Sequence, residues 1–250
     1  MDPALDSPTL DSPTPDPPTL LVIGHETDTD TVPVLAGTLT TWAADRGVTV
    51  VPVVAGQPMP DPAEVDAVAV LGSAQGAWDD DVPWLASEID HLRAAIAAGT
   101  PVLGICFGGQ LLARVLGGRA EPASGRRENG WQEIITTAPD VVPAGPWMEF
   151  HFDTFTAPPS SEVLATSPRC DQAFREGPHL GLQFHPEVTP EEFDLWMRRL
   201  SPERLIELGI DPAALRAETV ARAEESRVAS WGLFDAFAER AGLVNRTVAR

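Results

Sequence analysis

The segment that most constrains the fold is residues 100–118, which read TPVLGICFGGQLLARVLGG. Its apolar first part ends on Cys106, and glycines stand before and after that cysteine. Apolar residues then recur at helical spacing, at Leu111, Leu112, Val115 and Leu116. A buried strand that passes through a tight turn into a helix is the connection typical of a parallel α/β sheet, so the segment predicts that fold class.

The predicted turn also gives the Cys106 thiol a chemical interpretation. At a helix N-terminus, the helix dipole and the free backbone N–H groups favour the thiolate over the thiol. The same N–H groups can stabilise an oxyanion that forms nearby. Since most free cysteines are simply buried, the turn alone leaves both an enzymatic and a structural role open.

A second segment, residues 180–188 (LGLQFHPEV), supplies a base and a carboxylate. An apolar strand ends at His185, and Pro186 keeps that residue out of helical geometry. Glu187 faces the same way as His185, because positions i and i+2 of an extended segment share a face. Cys106, His185 and Glu187 therefore have the nucleophile, base and orienting carboxylate of a catalytic triad.

These two segments resemble the signatures of a known family. GICFGGQ around Cys106 and FHPE around His185 are similar to the signatures of class I, triad-type glutamine amidotransferases. Within that family, the chain is most similar to the glutaminase domain of GMP synthase and its stand-alone relatives, over residues 19–200. The resemblance implies a Cys-His-Glu triad at Cys106, His185 and Glu187.

A third segment, LGSAQG at residues 71–76, resembles the glycine loop that gives the family a second oxyanion-hole amide. The resemblance assigns Gly72 and Ser73 to the oxyanion hole, together with the backbone N–H of Phe107. Many relatives carry proline where Ala74 stands here. That departure concerns substrate choice and leaves the triad intact.

A fourth segment, WMEFHFD at residues 147–153, resembles the stretch whose backbone helps to hold the α-carboxylate of glutamine. The resemblance places Phe150 and His151 among the substrate-binding residues. Gln110, which follows the cysteine turn, is predicted to shape the floor of the pocket. Many relatives carry histidine or methionine where Gly109 stands, which again concerns substrate choice.

Composition limits the classes of partner and cofactor. The 250-residue chain has a net charge of −20 and contains no lysine. An acidic surface repels phosphate backbones, so nucleic acid and anionic membranes are not expected partners. Without lysine there is no P-loop, and no His, Cys and carboxylate cluster has metal-ligand spacing, so we expect no cofactor and no metal. The acidic start lacks secretory features, and two cysteines suit a reducing cytoplasm.

The pattern along the chain predicts three parts. An acidic, proline-rich repeat at residues 1–18 is expected to be disordered. Residues 19–200 form the catalytic domain, and residues 201–250 form a helical extension packed on it. In the catalytic domain, strands at 19–24, 48–54, 67–71 and 101–105 alternate with helices at 31–46 and 82–98. This alternation predicts a doubly wound, mostly parallel sheet with its active site beyond the strand C-termini.

Residues 119–185 break this alternation, and their short strands predict a small antiparallel flap beside the main sheet. Arg126, Arg127 and Glu128 are predicted in a loop before Trp131. Contact with a substrate carboxylate is one interpretation of these residues, and an exposed loop of mixed charge is the commoner one. Cys170 is interpreted as an incidental loop residue. His25 ends the first strand, where a position near the pocket and a capping or simply exposed position fit equally.

The C-terminal part reads as helices. TPEE at residues 189–192 is a capping box with proline at the first helical position. An apolar face follows at Phe193, Trp196, Met197 and Leu200. A second helix is predicted from Asp211 to Ala241, with an aromatic stripe that belongs to the core or to an oligomer contact.

Three functions are compatible with these patterns. The first is a glutaminase that releases ammonia from glutamine for a separate synthase partner. The second is a γ-glutamyl peptidase with the same triad and a larger leaving group. The third is a binding or regulatory protein that keeps the amidotransferase fold, since a fold alone does not imply a function.

Overall fold

The computed structural model describes residues 16–244, which contain twelve strands and seven α-helices. The strands are β1 (Thr19–Gly24), β2 (Thr49–Val54), β3 (Ala67–Val70), β4 (Val102–Ile105), β5 (Arg119–Pro122), β6 (Glu128–Gln132), β7 (Ile135–Thr136), β8 (Trp147–His151), β9 (Asp153–Thr156), β10 (Glu162–Thr166), β11 (Asp171–Glu176) and β12 (His179–Leu182). The helices are α1 (Val32–Leu35), α2 (Gly37–Arg46), α3 (Leu85–Ala98), α4 (Phe107–Val115), α5 (Pro190–Arg198), α6 (Pro202–Leu208) and α7 (Pro212–Ala241). The tail predicted to be disordered falls largely outside the described residues.

One eight-stranded sheet organises the molecule, in the order β2-β1-β3-β4-β12-β11-β10-β7. The first five strands run parallel, and the last three continue the sheet in antiparallel pairing. The predicted doubly wound, mostly parallel sheet is therefore confirmed. The smaller antiparallel elements are two separate two-stranded sheets, β5-β9 and β6-β8.

The antiparallel region differs from the predicted flap, because β10 and β11 extend the main sheet and do not stand beside it. β12 pairs with β4 on one edge, so its other edge is free to accept β11. The backbone pairing of β11 compensates for its polar sequence, DQAFRE, in which Gln172, Ala173 and Phe174 are nonetheless buried. Polarity hid this strand from the sequence pattern.

Two hydrophobic layers cover the sheet, and the alternation within β1 shows why. Leu20 and Val22 pack with α1, α2 and α7 on one face. Leu21 and Ile23 pack with α3 and α4 on the other face. Neighbouring strand residues point to opposite faces, so a strand that is apolar throughout has to be covered on both sides.

The helix predicted at residues 31–46 is broken into α1 and α2. Gly37, at the break, has a φ of +47°. A side-chain carbon at Gly37 would lie 2.0 Å from the carbonyl oxygen of Glu187, so only glycine allows this approach. The backbone N–H of Thr38 then donates to that same oxygen at 2.8 Å. The break therefore joins the start of α2 to the segment that carries Glu187.

The C-terminal helices begin at the caps that the sequence indicates. Thr189 caps α5 by accepting a hydrogen bond from the N–H of Glu192, and Asp211 caps α7. The short helix α6, which starts after Ser201, was not predicted. The α7 aromatic stripe belongs to the core, since Phe234 and Phe237 are buried against the layer that contains α2. No helix within residues 16–244 is long and apolar enough to cross a bilayer.

Candidate active site

Cys106 stands at the junction of β4 and α4 in a strained backbone conformation. Its φ is +53° and its ψ is −108°, a region that residues with a side chain rarely adopt. The turn is held because the Cys106 N–H donates to the carbonyl oxygen of Leu182 at 2.9 Å. A side-chain carbon on Gly108 would lie 2.1 Å from the Val70 oxygen, and one on Gly109 would lie 2.2 Å from the Leu182 oxygen. These glycines let α4 approach the sheet closely enough to form the strained turn.

His185 and Glu187 form a buried pair just beyond β12. Nδ1 of His185 and Oε1 of Glu187 are 2.7 Å apart, and both side chains are almost completely buried. The backbone N–H of His185 donates to the Met148 oxygen at 2.9 Å, which anchors the histidine to β8. Nε2 has no hydrogen-bond partner within residues 16–244. The carboxylate therefore fixes the ring while its other nitrogen stays free for chemistry.

Gly72, which follows β3, is the point where the predicted site residues meet. A side-chain carbon placed on it would lie 3.1 Å from Cε1 of His185 and 3.9 Å from Cβ of Cys106. β3, β4 and β12 are adjacent and parallel, so their C-terminal ends lie along one edge of the sheet. The structure thus brings Cys106, His185, Glu187 and the Gly72 loop together, as the strand ends predict.

The electrostatics of the site favour a cationic imidazole. Burial opposes the charge on His185, but the carboxylate of Glu187 and the sulfur of Cys106 outweigh that effect. The pKa of His185 is raised well above its ordinary value of 6.5. A histidine that holds its proton beside a cysteine is the arrangement that supports a thiolate nucleophile.

The loop after β3 is held by two acidic residues and one histidine. Nδ1 of His25 lies 3.1 Å from the Gly72 oxygen, and Nε2 lies 3.1 Å from a carboxylate oxygen of buried Glu88. Glu26 accepts hydrogen bonds from the Ser73 hydroxyl at 2.6 Å and from the Ala74 N–H at 3.1 Å. His25 is thus buried near the pocket, the first of the two positions that the sequence left open.

The anchoring of the Gly72 carbonyl by His25 has a direct geometric consequence. In a trans peptide, the C=O of Gly72 and the N–H of Ser73 point in opposite directions. Since His25 holds the oxygen on one side, the Ser73 N–H is held on the other. Burial opposes a charge on His25, but Glu88 and Glu26 outweigh it and raise its pKa above the ordinary value. A charged donor strengthens the hydrogen bond that sets this peptide.

Glu192 is a further buried carboxyl group that the sequence pattern assigned only to a helix cap. It is 2% exposed, and a carboxyl oxygen lies within 4.8 Å of one on Glu187. Burial and the charge of Glu187 raise the pKa of Glu192 well above its ordinary value. This shift favours the protonated form of Glu192 beside the carboxylate of Glu187. The capping position concealed this second role.

Gln183 is a second residue that the sequence reasoning missed. Its Nε2 lies 3.9 Å from the Cys106 sulfur, and its Oε1 accepts a hydrogen bond from Gln110 at 3.4 Å. Both glutamine side chains are buried. A polar residue inside the otherwise apolar strand LGLQF was the signal available in the sequence. Gln110 thus lies on the floor of the pocket, where it was predicted, and Gln183 links it to the thiol.

Cys106, His185, Glu187 and the Gly72 loop line one cavity of about 290 Å³. Trp196 of α5 forms part of its wall, with its ring 4.5 Å from that of His185 and stacked on Phe150 at 5.5 Å. Phe150 and His151 line the cavity, as the resemblance implied. Other residues around it, in addition to the triad and the Gly72 loop, are Leu35, Phe107, Gln110, Phe152, Asp153, Glu192, Arg199, Leu200 and Arg204. The arginines come from the C-terminal region, where the sequence predicted only helix packing.

A second polar cluster lies behind the wall that His151 forms. Glu128, predicted in an exposed loop, is 3% exposed and lies on β6, because β6 pairs with β8 and turns this side chain inward. Cys170, interpreted as incidental, is within 3.4 Å of Glu128 Oε2. Burial lowers the pKa of His151, but Cys170, Glu128 and Glu149 outweigh burial and raise it to about 12. The prediction of an exposed Glu128 is therefore wrong, whereas Cys170 does lie in a loop, just before β11.

Comparison with known proteins fixes the family. The sequence model of the family described as glutamine amidotransferase class-I matches residues 45–200, which is more than half of the chain. The chain belongs to the class I glutamine amidotransferase family. This amidotransferase is therefore an enzyme, as the cysteine turn and the histidine segment predict.

The sequence relatives and solved structures are consistent with this assignment. The glutamine-hydrolysing GMP synthase of Thermomicrobium roseum is 41% identical to the amidotransferase over 130 residues, which cover 49% of this chain and 23% of that protein. The chain thus spans about a quarter of the curated relative it matches.

Two solved structures share the fold of the amidotransferase. A glutamine amidotransferase from Thermotoga maritima superposes with a TM-score of 0.78 at 24% identity, over 89% of this chain and 98% of that one. A protein from Thermoplasma acidophilum, described as a putative GMP synthase subunit, gives a TM-score of 0.60 at 18% identity, over 90% and 94% of the two chains. At these identities the likeness concerns the fold.

Proposed function

We propose that this amidotransferase hydrolyses the side-chain amide of glutamine through a cysteine thioester and supplies the ammonia to a separate acceptor or synthase. The observation that carries the proposal is the meeting of Cys106, the His185–Glu187 pair and the Gly72 loop in one cavity. Each group lies at the end of a neighbouring strand, so rigid elements fix the distances between them.

In the first half of the reaction, the Cys106 thiolate attacks the δ-carbonyl carbon of glutamine. The carbonyl oxygen becomes an oxyanion, which the backbone N–H groups of Phe107 and of the Gly72–Ser73 loop stabilise. His185 gives a proton to the departing nitrogen, so ammonia leaves and a γ-glutamyl thioester remains. Glu187 stabilises the imidazolium before the transfer and keeps the ring in place after it.

In the second half, water cleaves the thioester. Neutral His185 takes a proton from the water, whose oxygen attacks the thioester carbonyl. The bond to sulfur then breaks, which releases glutamate and restores the thiolate and the imidazolium. The Cys106 turn serves both halves, because the same N–H groups receive the oxyanion each time.

The acceptor of the ammonia is proposed to be a separate protein. The 250 residues contain no lysine and no P-loop. The Thermoplasma acidophilum neighbour in fold is described as one subunit of a GMP synthase, which suggests that more than one chain forms that protein. The reducing cytoplasm, which keeps thiols free, is the proposed compartment.

One observation favours a γ-glutamyl peptidase as the second candidate. Arg199 and Arg204 line the cavity. A γ-glutamyl peptide carries a further carboxylate besides the α-carboxylate that glutamine also has, and guanidinium groups bind carboxylates with good geometry. Two arginines therefore suit a substrate with two carboxylates better than glutamine, which has one.

Turnover of a substrate panel separates the candidates. We expect the purified chain to release ammonia from glutamine, and the Cys106→Ala variant to release none while the Cys170→Ala variant stays active. Cleavage of glutathione or other γ-glutamyl peptides without glutamine turnover favours the peptidase. A chain that turns over none of them, even when synthase partners are added, contradicts both enzymatic proposals.

A further inference from the structure

Glu128, His151 and Cys170 form a cluster outside the triad, with one potential ligand atom from each within 4.8 Å of the others. Glu128 lies on β6, His151 ends β8, and Cys170 immediately precedes β11. Glu149, two residues before His151 on the same face of β8, is completely buried and borders the cluster. Three separate stretches of chain thus place a thiol, an imidazole and two carboxyl groups together.

The orientation of His151 is the one found in metal-binding histidines. Nδ1 lies 2.8 Å from the carbonyl oxygen of Asp153, which accepts its hydrogen. That bond fixes the ring, as the outer contact of a ligating histidine commonly does. Nε2 is directed to the other side, where it lies 3.5 Å from Glu128 Oε2 and 3.4 Å from Glu149 Oε2.

These separations suit atoms that share a metal ion better than atoms that share a proton. Charge-assisted hydrogen bonds between nitrogen and oxygen are about 2.7–2.9 Å long. Ligands at about 2.0–2.3 Å from a tetrahedral zinc ion are about 3.3–3.7 Å from each other. The thiol of Cys170 also points at this carboxylate, since its sulfur donates a hydrogen bond to Glu128 Oε2 at 3.4 Å.

Nε2 of His151 is buried and makes no hydrogen bond within residues 16–244, although it lies within ion-pair distance of Glu128 and Glu149. Both carboxyl oxygens of Glu149 are likewise buried without a hydrogen bond in this part of the chain. Buried polar atoms without hydrogen bonds are costly, and they are rare in folded proteins. A cation bound by the cluster would give Nε2 of His151 the bond that it lacks.

The other hydrogen bonds of Glu128 resemble those that surround the ligands of a metal site. Glu128 Oε2 accepts hydrogen bonds from the Ser167 hydroxyl at 2.8 Å and from Gln172 Nε2 at 2.9 Å. Such contacts hold a ligating carboxylate in one orientation. Glu128 also borders an open cleft on the far side from the triad, which provides a route for an ion.

We propose that Glu128, His151 and Cys170 bind a zinc ion. Thiolate and imidazole favour zinc over magnesium or calcium, which prefer oxygen ligands. Three protein ligands leave the fourth position of a tetrahedral ion to a water molecule. On binding, the thiol proton of Cys170 and the Nε2 proton of His151 pass to solvent. The ion ties β8, which forms a wall of the catalytic cavity, to β6 and to the turn before β11.

The sequence pattern gave no sign of this site and predicted no metal. Its ligands are residues 128, 151 and 170, so no compact motif of the C-x-x-C kind exists. Strand pairing between β6 and β8 creates the proximity, and pairing partners are not visible in a local spacing pattern.

The test is metal analysis combined with cobalt substitution of the full chain. We expect about one zinc ion per chain after purification without chelators. The cobalt(II) form should show the ligand-field bands of a tetrahedral site and a thiolate-to-cobalt charge-transfer band. Cys170→Ala should lose the charge-transfer band and most of the zinc, whereas Cys106→Ala, the matched cysteine control, should keep both.

Two outcomes overturn the proposal. One is a folded chain that holds no zinc and gives no charge-transfer band when zinc or cobalt is added at micromolar concentration; the cluster is then an imidazolium paired with carboxylates. The other is a band that is lost in Cys106→Ala and kept in Cys170→Ala, which places the metal at the triad. Circular dichroism of each variant establishes that a lost charge-transfer band does not reflect unfolding. Glu128→Gln is a second variant, in which we expect a folded chain that binds zinc more weakly.

Discussion

At the scale of single residues, the pKa of the His185 imidazole is determined by its charged neighbours more than by burial. Its pKa is raised well above 6.5, chiefly because Glu187 and Cys106 outweigh the opposing effect of burial. A proton held this strongly remains on His185 through neutral pH. The residue therefore starts each turnover as the acid that the leaving ammonia requires.

The pH profile of glutamine hydrolysis tests this assignment. We expect kcat/KM to show no inflection near 6.5 and to fall on the alkaline side only well above it, where His185 loses its proton. Glu187→Gln removes the carboxylate that stabilises the cation, so the pKa falls and the alkaline limb moves to lower pH. Activity should fall by at most the about 10²–10⁴-fold that a general acid–base contributes. An unchanged profile in Glu187→Gln excludes that residue from the triad.

Glu192 gives a second prediction at this scale. Its raised pKa favours a protonated carboxyl, which we expect to donate toward Glu187, so Glu192→Gln should keep a donor and stay within a few-fold of the parent. Glu192→Leu should lower kcat about 10–100-fold, since a hydrogen bond to a charged group is worth about 1.5–3 kcal/mol. Equal activity in both variants would contradict the donor role. Exposed Glu191 provides the control Glu191→Gln, which should have no effect.

The proximity of Cys106, His185 and Glu187 could be predicted from the sequence, whereas the residues that support them could not. Cys106 and His185 each follow an apolar strand, and the ends of parallel strands meet at one edge of a sheet. Glu192 reaches the site from the first turn of α5, and Gln183 reaches it from just beyond β12. Their positions depend on which elements pack together, which local patterns do not contain.

At the scale of elements, the loop after β3 depends on His25, which follows β1, and on Glu88 of α3. We expect His25→Leu to lower kcat more than it raises KM, because the Ser73 N–H loses its fixed direction while the rest of the cavity is intact. Removing an oxyanion-hole donor outright costs about 10²–10³-fold, so a misdirected donor should cost less than that. His91→Leu on the same helix as Glu88 serves as the control. A change in KM alone would show that His25 shapes substrate binding instead.

The break between α1 and α2 makes a prediction about stability. Gly37→Ala places a carbon 2.0 Å from the Glu187 oxygen at a φ of +47°, so both strain and collision oppose it. Gly47→Ala has a φ of +68° but nothing within 4 Å, so it suffers the strain alone. Strain of this kind costs about 1–3 kcal/mol. Urea unfolding should therefore show a larger loss for Gly37→Ala, and glutamine hydrolysis should fall only in that variant; equal losses would argue against the collision.

Elements with strong apolar periodicity were predictable, and polar ones were not. The sequence located β1 and the start of α7 correctly, because buried strands and helix caps are local signals. It joined α1 to α2, since the break is required by Glu187, a residue 150 positions away. It missed β5 and β11, whose sequences are polar and whose pairing comes from a neighbouring strand edge.

At the scale of the whole molecule, the proposal that this chain hydrolyses glutamine and a separate synthase uses the ammonia has a direct test. The chain lacks lysine and a phosphate-binding glycine loop, so the purified protein should show no saturable ATP binding by calorimetry. It should also form no amidated product from glutamine, ATP and an acceptor unless a synthase partner is added. ATP binding by this chain alone would overturn the proposal of a separate synthase.

The hydrogen bonds of the Pro186 carbonyl oxygen have a consequence for how the enzyme loses activity on heating. It accepts hydrogen bonds from Thr38 of α2 and from Ser230 of α7, and it belongs to the peptide that joins Pro186 to Glu187. When α7 detaches, that peptide loses one of its two anchors while the central sheet remains paired. We expect activity to be lost at a lower temperature than the one at which the central sheet unfolds. The activity that remains on heating therefore reports whether α7 is still packed on the domain.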